Sequence, residues 1–373
     1  MTIAVLGAGL VGRRTAELLA RDHGDVMLAS RGQAGESIPG VELLRGIDHP
    51  RDLRPLRAAV LAGPSFLQVE LAEELLDLGV PVVSTADHPD AVRELWNLAG
   101  KALASGTPLI VGAACSPGLS SLLVAQLARR FDRIDAITTA RFGTGGPACA
   151  REHHRSMAAV AWEVEDGQSR TTRGGSGRGL VWFPEPVGAQ DCYQAGLAEP
   201  FLLHQAHPDV PRIRALQAAT RRDRATARLP MLRKPHAEGL LGAVWAEVRG
   251  KLREDRGGGI EHAVMAATAP QATAAAAVAA AATVELLGDA SFAPGAHTLG
   301  AVVEPARLLR RVGDQVRLWT HSGEIVVRPG SSGPVRAARK WRGGSEFSPI
   351  RPIRAGDPFE QADLPKVNRL ATD

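Results

Sequence analysis

Glycines at positions 7, 9 and 12 form the run Gly7-Ala8-Gly9-Leu10-Val11-Gly12, the spacing of a loop that cradles phosphate. Each has a physical task. Gly7 permits a tight turn, Gly9 lets backbone approach a pyrophosphate, and Gly12 lets the following helix lie against the strand. The helix N-terminus, with the N–H groups around Leu10 and Val11, then offers unpaired donors and partial positive charge to an anion. Ser30-Arg31 follows 18 and 19 residues beyond Gly12. A carboxylate there would hold a ribose 2′-hydroxyl. A guanidinium and a hydroxyl instead suit a 2′-phosphate, and no acidic residue adjoins them in sequence. NADP(H) is therefore expected over NAD(H). Gly63-Pro64-Ser65 and Thr85-Ala86 are placed to line the ribose and nicotinamide sides.

Hydride transfer asks the protein for positioning and a proton source, since the dinucleotide carries the reducing power. His153-His154, just after the Gly145-Gly146-Pro147 turn, are the candidate proton donors. Cys115, at the crossover between the two halves of the chain, is a third candidate. Arg141, with Arg151 and Arg155, could clamp a substrate carboxylate through a forked guanidinium.

These residues need a parallel sheet to hold them. Thr2 to Leu6 is an apolar run entering the glycines, and Val11 to Asp22 reads as a helix. Strands are expected over Asp25–Ala29, Arg57–Ala62, Val80–Ser84 and Pro108–Val111. Helices are expected over Leu67–Leu78 and Asp90–Ala104. This alternation predicts an α/β chain whose N-terminal unit is a Rossmann doubly wound parallel sheet. Beyond Gly112 a helix opens at Ser116-Pro117-Gly118. Strands follow over Ile134–Phe142, Ala243–Arg249 and Glu261–Thr268, with residues 170–179 as a loop and an alanine-rich helix after Pro270. That describes a second α/β domain on a mixed or antiparallel sheet. The expected division is residues 1–112 for the dinucleotide, 113–290 for substrate and dimerisation, 291–330 returning to the first domain, and 331–373 as a loosely held basic tail.

Composition narrows the classes. The 373 residues are 45% hydrophobic and 23% charged, which suits a soluble two-domain protein. Net charge is +4, and from Ser331 onward eight basic residues stand against five acidic ones, so the body is near neutral. A nucleic-acid partner is not called for. Three widely spaced cysteines without a Cys-x-x-Cys favour neither disulfides nor zinc and fit a reducing cytoplasm. The strand opening at Thr2 leaves no place for a signal peptide. The alanine-rich run 271–287 is too weakly apolar for a membrane span. A Tyr-x-x-x-Lys pair is excluded, because the single tyrosine, Tyr193, has Leu197 four residues on.

With these residues in place, the chain from Met1 to about Val312 resembles the saccharopine dehydrogenase-like oxidoreductases. Ala62-Gly63-Pro64-Ser65 is similar to the family's AGPF turn, and Val83-Ser84-Thr85-Ala86-Asp87 to its YxDTxGE segment without the tyrosine. Gly112-Ala113-Ala114-Cys115-Ser116-Pro117-Gly118-Leu119-Ser120 is similar to GxGxDPGLxN, and Phe142 to Ala148 to a Gly-Gly-x-Pro-Ala turn. Ser116 stands where the family has Asp, and Ser65 where it has an aromatic. The resemblance implies NADP(H), a second domain closing on it, a homodimer, and hydride transfer to or from a C=N bond of a small carboxylate-bearing substrate. The alternatives are a non-catalytic NADP(H)-binding regulator and an enoyl reductase acting on a lipid-like substrate.

Overall fold

The computed structural model describes residues 2–32, 35–231, 237, 241–288, 292–302, 304–324 and 348–349. The N-terminal unit runs β1 (Thr2–Leu6), α1 (Leu10–Asp22), β2 (Val26–Ser30), β3 (Val41–Arg45), β4 (Leu56–Leu61), α2 (Ser65–Asp77), β5 (Val82–Ser84), α3 (Pro89–Asn97), α4 (Ala99–Ala104) and β6 (Pro108–Val111). Every residue of β1 is buried, as its unbroken apolar sequence requires of a central parallel strand. The sheet order is β3-β2-β1-β4-β5-β6, all parallel. The chain winds outward from β1 to β3 and then crosses back to β4. The switch point thus lies between β1 and β4, where the glycines emerge.

The second unit comprises α5 (Leu119–Ala128), β7 (Phe131–Phe142), α6 (Pro147–Ser156), β8 (Val160–Glu165), β9 (Gln168–Arg173), β10 (Gly179–Trp182), β11 (Ala189–Gln194), α7 (Glu199–Ala206), β12 (Ile213–Ala218), α8 (Arg221–Thr226), β13 (Leu241–Leu252), β14 (Ile260–Pro270) and α9 (Gln271–Leu286). Next come β15 (Gly295–Thr298), α10 (Pro305–Gly313), β16 (Arg317–Glu324) and β17 (Ser348–Pro349). The second sheet is mixed, in the order β10-β11-β12-β7-β13-β14-β16-β17, with β8 and β9 attached through β12. Only β12 and β7 run parallel; the other pairs are antiparallel.

Several local expectations need correction. Strand β3, where no element is expected from the sequence, pairs with β2. The helix expected over 90–104 divides at Leu98 into α3 and α4. The helix expected from Ser116 begins at Leu119, because residues 114–118 close on themselves first. Gly118 there has φ +123°, and a Cβ would lie 2.1 Å from the Ala114 carbonyl oxygen. The loop expected over 170–179 is partly β9, folded on β8 across Asp166-Gly167, both at positive φ as a two-residue hairpin turn demands. The return expected over 291–330 covers half of the path. Strand β15 joins the first sheet beside β6, but β16 pairs with β14 and covers the edge that β14 would otherwise expose. Apart from β17, the basic tail lies outside the described residues.

Helix α9 holds the two units together. Fourteen of its sixteen residues are buried, so it is a central helix and not an amphipathic surface one. Alanine makes this possible, since short side chains let α1, α10 and the second sheet all approach one helix closely. Arg14 on α1 reaches across to donate to Thr273 Oγ1 at 2.9 Å. One apolar core runs from Val5 and Leu19 through Ala279 to Val244 and Ala263, spanning both sheets. No helix among the described residues is long and apolar enough to cross a membrane.

Packing this close leaves no room for growth. Ala279→Leu, at a fully buried site, should destabilise the protein by about 1–3 kcal/mol in urea denaturation. An unchanged midpoint would show that α9 is not wedged in this way.

Candidate functional site

A cleft of about 870 Å³ opens at the carboxyl ends of β1, β2, β4 and β5 and is roofed by α6 and the first turn of α9. Gly7 leaves β1 with φ +124°, and a Cβ there would meet the Ala62 carbonyl carbon at 2.7 Å. A Cβ on Gly12 would sit 1.8 Å from the Gly7 oxygen. These two glycines therefore shape the turn from within. Gly9 differs: nothing lies within 4 Å of its Cβ direction, and it caps α1 without a side chain. The first N–H groups of α1, from Leu10 onward, have no partner inside the helix. Open space over Gly9 beside a helix N-terminus fits a pyrophosphate, and a side chain at position 9 would enter that space.

Ser30 and Arg31 end β2 and border the cleft. The sequence reading left Arg31 without an acidic neighbour; the fold supplies one. Pairing of β3 with β2 carries the chain onward so that the Ile47 N–H donates to the Ser30 carbonyl at 3.3 Å. Asp48 Oδ1 then lies 3.6 Å from Arg31 Nε. Both side chains are about half exposed, so the pair contributes about 0–1 kcal/mol and is readily exchanged for a more highly charged partner.

The next turns are rigid. Gln68 donates to the Gly63 carbonyl at 2.7 Å and accepts from Ser84 Oγ at 2.7 Å. Ser65 Oγ donates to Asp87 Oδ1 at 3.2 Å. Gly63, Pro64, Ser65 and Thr85 border the cleft; Gly12 and Ala86 are buried beneath it and do not line it. Asp87 and His88, which the sequence reading did not single out, line it in their place, directly after the segment that carries Thr85.

The opposite wall comes from the second unit. Gly146, at φ +146°, lies so close to α1 that a Cβ would meet Leu10 Cδ1 at 2.9 Å. This contact sets the start of α6 over the glycine loop. Cys149, Arg151, Glu152 and Arg155 follow on α6, with Gln271 from α9. Gln271 is fixed by donating to the Phe142 carbonyl at 2.8 Å. Arg141, at the end of β7, is buried. Its Nε and Nη2 donate to Gln217 Oε1 at 3.0 and 2.6 Å, and its Nη1 to the Ser116 carbonyl at 3.4 Å. The fork is held by its own protein and keeps further donors for a ligand.

Of the four residues expected to carry chemistry, Arg141 and Cys115 border the cleft; His153 and His154 do not. His153 Nε2 is directed to the Ala218 carbonyl (3.2 Å) and His154 Nε2 to that of Leu229 (3.0 Å). On a helix, positions 149, 152 and 155 share a face, and 153 and 154 fall beside it. Burial, and then the charge of Arg141, push His153 down to about 3. Burial pushes the Cys115 thiol up to about 12, assisted by neighbouring Cys149, so it is not a thiolate near neutrality. Cys149 is raised for the same first reason. All three cysteines are free thiols. The described residues contain no group of three or more His, Cys, Asp or Glu able to hold a metal ion.

No protein-family model matches the sequence, and comparison with curated proteins returns no match. Likeness appears at the level of solved structures. Saccharopine dehydrogenase (L-Glu forming) from Saccharomyces cerevisiae superposes with a TM-score of 0.60 at 12% identity, over 86% of this chain and 99% of that one. The DAP dehydrogenase of C. glutamicum in complex with DAP gives a TM-score of 0.45 at 15% identity, over 83% and 95%. An engineered D-amino acid dehydrogenase bound to NADP+ gives 0.44 at 15% identity, over the same shares. The chain thus has a saccharopine dehydrogenase-like fold: a parallel Rossmann sheet joined to a second, mixed sheet.

The burial of His153 has a consequence for acid stability. Its folded value lies below the ordinary one, so between about pH 6.5 and 3 the unfolded chain binds a proton that the folded chain refuses. Stability should fall as pH drops through that window, and His153→Asn should flatten this part of the curve. Ring resonances of His153 that titrate near pH 6.5 would contradict the placement.

Proposed function

We propose that this chain is an NADP(H)-dependent oxidoreductase of saccharopine dehydrogenase type. It would transfer hydride to or from a C=N or C–N bond of a small, carboxylate-bearing, amino-acid-like substrate. The observation that carries this reading is the empty volume over Gly9, with Arg31 at the adenosine end and Arg141 at the other. Gly9, Leu10 and Val11 would hold the pyrophosphate through backbone N–H groups, in a turn that Gly7 and Gly12 shape from within. Ser30 and Arg31 would take the 2′-phosphate, and Gly63, Pro64, Ser65 and Thr85 the ribose and nicotinamide side. Once bound, the dinucleotide supplies or accepts the hydride. The chain's own work is to orient and to exclude water. Leu10 against Gly146 keeps the second wall over the loop, and Arg141, with Arg151 and Arg155 on the rim, faces the substrate carboxylate.

The polarity of that wall speaks for a charged substrate and against the apolar channel an enoyl reductase needs. A homodimer in a reducing cytoplasm belongs to the same reading, supported by the resemblance and by the free thiols.

Arg31 and Asp48 make the cofactor choice testable by calorimetry. NADPH should bind more tightly than NADH. Arg31→Ala should weaken NADPH binding about 10–100-fold, the equivalent of a charge-assisted hydrogen bond worth about 1.5–3 kcal/mol, and leave NADH nearly unchanged. Asp48→Asn should tighten NADPH binding by removing the competing anion. Binding of neither dinucleotide, or preference for NADH, would overturn the assignment. Tight NADPH binding without consumption across panels of oxo acids and amines would favour a non-catalytic regulator.

A further inference from the structure

Beneath the cleft lies a carboxyl group that the proposed function has not used. Glu199, the first residue of α7, is buried. Its Oε1 accepts from Ser116 Oγ and, at 3.4 Å, from Ser120 Oγ. Its Oε2 is fully covered and has no hydrogen-bond partner. No Lys, Arg or His nitrogen of the described residues lies within ion-pair distance of it. A buried carboxylate in that setting would keep an unsatisfied, charged oxygen out of water, which strongly disfavours ionisation. Burial accordingly raises Glu199 above the ordinary carboxylate range. Arg141, on β7, opposes the shift, and Asp87, beyond β5, adds to it.

Ser116 is the hydroxyl that connects this acid to the cleft. It touches Glu199 on one side and borders the cleft beside Cys115 and Arg141 on the other; Ser120 is buried and does not reach it. The other candidate donors are otherwise engaged. The thiols of Cys115 and Cys149 are shifted upward, and His153 and His154 turn away. His88 caps α3 by accepting from the Asp90 N–H, and His49 is bonded to Glu74.

We propose that Glu199 is the proton store of the cleft and that the Ser116 hydroxyl relays its proton to the substrate nitrogen. The proposal rests on the oxidoreductase reading above. As hydride is added to the C=N carbon, Ser116 Oγ gives its proton to the nitrogen and takes the proton of the Glu199 carboxyl. The products are the amine, the oxidised dinucleotide and a Glu199 carboxylate, which is reprotonated from solvent before the next cycle. Oxidation runs the same path backwards. Glu199 is thus a positioning and proton-holding residue acting through Ser116.

Two measurements test the store and the relay without substrate. Glu199 holds its proton in the folded chain over a range where the unfolded chain has lost it. Wild-type stability should therefore fall, relative to Glu199→Gln, as pH rises from about 4.5 through the raised folded value, and then level off. Parallel stability curves would overturn the store. In infrared spectra recorded over the range where that stability difference develops, wild type should show a protonated-carboxyl band that Glu199→Gln lacks. On transfer to D₂O, Ser116→Ala should slow the deuterium shift of this band at least about tenfold, and Ser120→Ala should not. Equal rates in wild type and Ser116→Ala would overturn the relay. In NADPH oxidation with 1-pyrroline-2-carboxylate as probe, Glu199→Gln should lower kcat about 10²–10⁴-fold, with KM and NADPH affinity kept. Full turnover by that variant would also overturn the proposal. Failure to bind NADPH would instead strike the oxidoreductase reading and leave the stability and infrared results to decide the pair.

Discussion

The closest constraint among the described residues is the approach of the α1 backbone to the glycine turn and to the end of β4. A Cβ at Gly12 would fall inside the Gly7 carbonyl, and one at Gly7 inside the Ala62–Gly63 backbone. Three chain segments therefore meet with only hydrogen atoms between them. That meeting aims the N-terminus of α1 at the switch point of the sheet, and the dinucleotide reading depends on that direction. The same logic recurs at the crossover, where Gly118 closes on Ala114, and at Gly146 against Leu10. Backbone contact without side chains is how this fold registers its two halves on one another.

Alanine extends the principle to the core. Helix α9 is buried nearly all round, and its small residues allow α1, α10 and the second sheet to share one apolar core. Such a core gains less from each side chain than a leucine-rich one would and relies more on close fit. It also brings Gln271 and Ala272 to the cleft edge from the same helix that joins the units. The second wall of the cleft is thus anchored by the element that holds the fold together.

How much of this was legible in the sequence depends on the range of each interaction. The β1–glycine–α1 unit and Ser30-Arg31 could be read because their geometry is local: an apolar run, three glycines and a strand end at fixed spacing. The alternation of strands and helices likewise exposed the doubly wound sheet. Asp48 was hidden because nothing between Gly46 and Pro50 marks a site; only the addition of β3 to the sheet brings it to Arg31. The β8–β9 hairpin escaped because the polar, arginine-rich residues after Asp166-Gly167 have no apolar alternation and resemble a loop. His153 and His154 were attractive by type and position. Their helical phase turns them to the carbonyls of Ala218 and Leu229, while Cys149, Glu152 and Arg155 border the cleft. Glu199 and Gln217 gave no sequence signal, being single polar residues whose partners lie more than sixty residues away.

The two walls of the cleft consequently hold their polar groups by different physics. On the Rossmann side the donors are backbone N–H groups at a helix terminus, fixed by strand and helix geometry, and the charged residues at the rim are exposed and exchangeable. On the other side Arg141, Gln217, Ser116, Ser156 and Glu199 form a buried network, in which the Ser156 hydroxyl and the Nε and Nη2 of Arg141 converge on one amide oxygen of Gln217 and Nη1 of Arg141 donates to the Ser116 carbonyl. In low dielectric each member polarises the next, and the loss of one leaves another unpaired at a cost above that of the bond itself. The first wall should therefore tolerate sequence change wherever glycine geometry is kept. The second is coupled, so its residues must change together. A fold built in this way fixes its glycine loop by local backbone geometry and its opposite wall by side-chain coupling, and only the first kind of constraint is written in a few neighbouring residues.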